Sequence, residues 1–67
     1  MDIKKARDLI RETDRNVCKC CMERFYSPFD ILFIYEYGSC VDCFSKAYSD
    51  EIIEEMSKPI FELIEKL

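Results

Sequence analysis

Two cysteine pairs constrain this chain more than any other feature. Cys18-Lys19-Cys20-Cys21 contains one C-x-x-C, made by Cys18 and Cys21, and Cys40-Val41-Asp42-Cys43 is a second. Eighteen residues lie between Cys21 and Cys40, which fits the zinc pattern of two such turns with ~15–20 intervening residues. Two thiolates two residues apart grip one metal from a tight turn. Two such turns supply the tetrahedral set of four thiolates that Zn²⁺ accepts, at roughly 2.3 Å per sulfur. The expected ligands are therefore Cys18, Cys21, Cys40 and Cys43, holding one Zn²⁺ per chain. With all four positions filled by thiolate, no site is open for water, so a structural zinc is expected and an enzyme is not.

Composition supports a metal over disulfides. The chain has 67 residues and five cysteines. A secreted disulfide framework usually has an even number. A core this small seldom supplies more than roughly 3–5 kcal/mol, so a staple is expected. The chain contains no His, which excludes a Ser-His-Asp or Cys-His triad. The net charge of −4 argues against nucleic acid, which attracts proteins mainly through Lys and Arg. No apolar run approaches the ~20 residues of a membrane helix. Residues 1–5 have no apolar segment behind them, so a cytoplasmic location without a secretory signal is expected. Cys20 is the leftover thiol: a spare side chain, an alternative to Cys18, or an oxidation-sensitive group.

The periodicity predicts one domain over residues 1–67, α+β in class. Ile3, Ala6, Ile10, Thr13 and Val17 recur at spacings of three and four, predicting a helix over 2–15 with Asn16 as a left-handed terminator. Residues 17–43 read as a zinc knuckle and β-hairpin, with Ser27-Pro28-Phe29-Asp30 as the turn. Ile31 to Tyr37 is rich in β-branched and aromatic residues and reads as a strand. Ser39 reads as the N-cap of a helix beginning near Cys40, within a helical region 40–67 that kinks near Pro59. Knuckle, hairpin, then ligands at a helix start is the order of a treble clef.

Residues 18–55 resemble the N-terminal zinc-binding domain of the unfoldase ClpX. The likeness rests on the paired C-x-x-C, the aromatic segment Phe33-Ile34-Tyr35-Glu36-Tyr37, and a Cys-Val-Asp-Cys turn opening a helix that ends Asp50-Glu51-Ile52-Ile53-Glu54-Glu55. The chain is also similar to the small anti-sigma factor family Gin (CsfB), which is about this long and carries the same paired motif. Both resemblances imply a treble-clef-like zinc fold, dimerisation and protein ligands. A glycine is common after the first pair in these families, where this chain has Met22.

Apolar residues exceed what so short a chain can bury. Phe29, Phe33, Tyr35, Tyr37 and Tyr48 are therefore interface candidates, as aromatic residues are enriched at interfaces. Ile53, Met56, Ile60, Leu63 and Leu67, flanked by Phe61 and Ile64, have the rhythm of a helix pair. They pack on the first helix of the same chain, across a homodimer, or in a groove of a partner protein. The expected function is a homodimeric, protein-binding regulator, an inhibitor or adaptor of a larger protein such as an RNA polymerase sigma factor. The alternatives are a nucleic-acid-binding zinc ribbon using Lys4, Lys5, Arg7, Arg11 and Arg15, and a rubredoxin-like electron carrier.

Overall fold

The computed structural model of the protein describes residues 2–12 and 16–67. Four helices follow one another: α1 (Ile3–Arg11), α2 (Pro28–Tyr37), α3 (Val41–Ala47) and α4 (Asp50–Lys66). The described residues contain no strand, only an isolated antiparallel bridge between Val17 and Arg24. The expected α+β class, and with it the treble clef, is therefore corrected to an all-helical fold.

The correction falls on α2. Four consecutive residues, Ile31, Leu32, Phe33 and Ile34, are buried. A helix surrounded by other elements buries all its faces and shows no amphipathic period. Its apolar run is then indistinguishable by periodicity from a buried strand. The ends of the segment carry the helical information. Pro28 stands in the first turn, where its missing N–H loses nothing, and Asp30 complements the helix dipole. Gly38 closes the helix in the left-handed region at φ +88°, its N–H donating to the Ile34 carbonyl at 2.7 Å. The expected strand faces dissolve accordingly. Phe29, Phe33 and Tyr37, four apart, form an aromatic ladder with centroids 5.8 and 4.7 Å apart. Tyr35 sits on another face, beneath the Lys5 ammonium at 5.6 Å.

The remaining helices pack around α2. Asp2 caps α1, its carboxylate accepting from the Lys5 N–H at 2.7 Å. The helix ends at Arg11 rather than running to residue 15, and Thr13 of the predicted stripe lies outside the described residues. Asn16 is not the left-handed terminator. It is buried, and its side-chain amide donates to the Phe25 carbonyl.

The predicted long helix is two helices. The N-cap of α3 is Cys40, one residue later than the Ser39 expected. The chain turns at Tyr48, and Ser49 precedes α4. From there α4 continues through Pro59 to Lys66. The core unites Ala6, Leu9, Ile31, Leu32, Phe33 and Ile60, with Met56, Leu63 and Ile64 packed against it. Burial of this kind stabilises by about 1.5–3 kcal/mol per large apolar side chain.

Candidate metal centre

The first cysteine pair is shaped by a tight backbone knuckle. The Met22 N–H donates to the Cys18 carbonyl at 2.9 Å, and the Cys18 N–H to the Glu23 carbonyl at 2.9 Å. A second rung, Phe25 N–H to the Asn16 carbonyl at 2.9 Å, closes the base of the loop. Reversing the chain this sharply puts Met22 at φ +62°, the one non-glycine residue in the left-handed region among those described. The second pair is held differently. Cys40 is the N-cap of α3 and Cys43 lies in its first turn, so helix geometry sets their separation. A bond from the Lys19 N–H to the Gly38 carbonyl at 3.4 Å ties the knuckle to the loop before α3.

The result is a cluster of four sulfurs. The Sγ atoms of Cys18, Cys21, Cys40 and Cys43 all lie within 4.8 Å of one another. The separations are 3.5 Å for Cys40–Cys43, 3.7 Å for Cys18–Cys43 and 3.8 Å for Cys21–Cys40. All are far beyond the roughly 2.05 Å of a disulfide. They match the edge of a regular tetrahedron, about 3.8 Å when each sulfur stands roughly 2.3 Å from the centre. The four cysteines therefore lie close enough to bind one metal ion, and they are the four that the spacing selects.

Surroundings differ around the cluster. Cys18 and Cys40 are buried against Ile34 and Phe25, Cys43 is half-buried, and Cys21 reaches the surface. Burial opposes ionisation of Cys18 most strongly. Hydrogen bonds from the backbone of Cys21, Cys40 and Cys20 outweigh it and lower the thiol to about 6. Two of these are seen directly: the Cys40 N–H at 3.3 Å and the Cys20 N–H at 3.4 Å from Cys18 Sγ. Burial raises Cys40, and the Cys40 thiol followed by burial raises Cys43. The Cys18 thiolate is thus favoured by the protein's own hydrogen bonds, while Cys40 and Cys43 are shifted toward the protonated thiol.

Cys20 is not one of the four. Its side chain is exposed, and its N–H donates to Cys18 Sγ. The other singled-out residues are distributed unevenly. Phe33 and Ile60 are core residues, at 0 and 1 % exposure. Phe29, Tyr37, Met56, Leu63 and Ile64 pack on that core, and Ile53 is half-buried. Most of the predicted C-terminal stripe therefore closes on its own chain. Tyr35, Tyr48, Phe61 and Leu67 remain exposed, and so do Met22, Tyr26 and Ile52, which are not among the interface candidates named from the sequence. Only their place on helix or knuckle surfaces distinguishes them, which requires the correct secondary structure. No described helix is long and apolar enough to cross a membrane. Comparison with protein-family models, with curated proteins and with solved structures finds no match.

Proposed function

We propose that the protein is a non-enzymatic, protein-binding regulator organised by one structural Zn²⁺ per chain. The observation that carries this reading is the set of four sulfurs at tetrahedral separations. Four thiolates and no histidine or carboxylate among them suit Zn²⁺, and they leave it no open position for a substrate or water. The metal would tie the knuckle to the start of α3 and so fix both ends of α2.

Partner binding is supported by the surface. Seven large apolar side chains, Met22, Tyr26, Tyr35, Tyr48, Ile52, Phe61 and Leu67, are exposed. Apolar surface of this kind on a small acidic chain is suited to a protein and unsuited to a polyanion. The paired-cysteine resemblance to the Gin anti-sigma factors makes a transcription factor of the sigma class the first specific candidate. Homodimerisation belongs to the same proposal, through the exposed apolar residues that the core leaves unused.

Native mass spectrometry of the freshly purified chain tests the metal and the stoichiometry together. Two chains with two zincs support a paired regulator, and one chain with one zinc a monomeric adaptor. A folded species without metal overturns the reading. Red colour with visible charge-transfer absorption would replace zinc by iron and the regulator by an electron carrier. Capture from lysate after nuclease treatment, with identification of the bound protein, then tests the partner.

A further inference from the structure

A surface feature on the far side of α2 names the kind of partner that the protein-binding reading requires. Where α4 passes the end of α2, an open hollow of about 490 Å³ lies between Tyr37, Ile52 and Met56, with Glu51 and Glu55 at its edge. The hollow is pre-formed. The Tyr37 hydroxyl donates to the Met56 carbonyl at 2.8 Å, and the Tyr37 ring is held by Phe33 at 4.7 Å and Phe44 at 6.1 Å. Ile52 stands 47 % exposed at its rim. A single exposed isoleucine is ordinary, but beside the apolar wall that the held Tyr37 ring and Met56 form it offers an anchor point for an apolar side chain.

Charge selects the occupant. Residues 50–56 carry four carboxylates (Asp50, Glu51, Glu54 and Glu55) and no cation. Asp50 and Glu51 lie in the first turn of α4, where the helix dipole accounts for them. Glu54 and Glu55 lie beyond that turn, where the dipole no longer accounts for them. The next cation along the helix, Lys58, pairs with Glu55 at 2.7 Å, with both side chains well exposed. Such a pair is weak and readily exchanged.

We infer that this hollow is a docking groove for a basic amphipathic segment of another protein. The segment places apolar side chains against Tyr37, Ile52 and Met56 and sets Lys or Arg beside Glu51 and Glu55. A second copy of this chain is a poorer occupant. Its one basic helical region, residues 2–12, holds four cations against three carboxylates, and Lys5 there is engaged with Tyr35.

The test is selection from a random-peptide display library against the immobilised, metal-loaded full chain. Enriched peptides should carry apolar residues at helical spacing together with several Lys or Arg. Their affinity should fall by about tenfold or more between low and physiological salt. The double variant Glu51→Lys, Glu55→Lys should lose about tenfold or more, and Ile52→Ala a comparable amount, with zinc content unchanged. Enrichment of neutral or acidic peptides, or binding that survives the double variant, overturns the groove while leaving the protein-binding reading in place. Self-association abolished by the same substitutions assigns the groove to a second copy and likewise overturns the inference. No enrichment at all also overturns the groove, while capture from lysate separately tests the protein-binding reading.

Discussion

Met22→Gly should stabilise the protein, and the size of the gain follows from one backbone angle. Met22 sits at φ +62° in the knuckle that carries Cys18 and Cys21. A residue with a β-carbon held in the left-handed region costs about 1–2 kcal/mol. Glycine removes that cost but gives back about 0.5–1 kcal/mol through its freer unfolded chain. The Met22 side chain is 73 % exposed, so little packing is lost. The net gain is about 0.5–1 kcal/mol, which raises Tm by roughly 2–8 °C in a domain this small. Thermal unfolding of the metal-loaded chain, followed by circular dichroism at fixed zinc, reads it out. Met22→Ala keeps the β-carbon and should show no gain. Gly38→Ala tests the same angle with opposite sign. Gly38 has φ +88° and open space around an added β-carbon, so strain of about 1–2 kcal/mol, less about 0.5–1 kcal/mol from the stiffer unfolded chain, leaves a net loss of about 0.5–1 kcal/mol that comes from the backbone alone. Equal responses from Met22→Gly and Met22→Ala would refute the reasoning, because the effect would then lie in the side chain.

Three further outcomes are expected. Cys18→Ser and Cys40→Ser should each abolish tight zinc binding while Cys20→Ser retains one zinc per chain, as counted by native mass spectrometry, because Cys20 is not one of the four clustered sulfurs. The apparent zinc affinity should rise with pH, measured by competition with a chromophoric chelator, since uptake displaces the protons that Cys40 and Cys43 hold. Asn16→Ala should destabilise the fold by about 0.5–1.5 kcal/mol in urea unfolding, because the Phe25 carbonyl loses its amide donor while the buried Asn16 Oδ1, which has no partner among the described residues, is removed as well.

The four-cysteine cluster was legible in the sequence and the connection between its halves was not, for one physical reason. Four ligands constrain where the ends of the intervening segment lie, not what it does between them. A hairpin and a helix both return Cys40 to Cys18. The ten residues of α2 span about 15 Å, and the Ser39-Cys40 corner brings the chain back. Ile31 to Ile34 are buried on every side, so their composition expresses burial rather than period. The local signals at the ends were present, Pro28 in the first turn and Gly38 as a left-handed terminator. Reading them as a helix start and stop, rather than as turn residues flanking strands, recovers α2. The division of the C-terminal region at Tyr48–Ser49 was legible to the same degree. Ser49-Asp50-Glu51 carries an N-cap and two first-turn acids, as strong a start as Ser39 to Asp42. What no local rule supplies is the use of the apolar stripe. Met56, Ile60 and Leu63 have the spacing of an intermolecular helix pair, and they meet α2 instead. Once α2 is helical and buried it needs a partner on each side, and α4 is the longest apolar face available in the chain. The exposed residues that remain, Ile52 among them, are then what the fold has left over for another molecule.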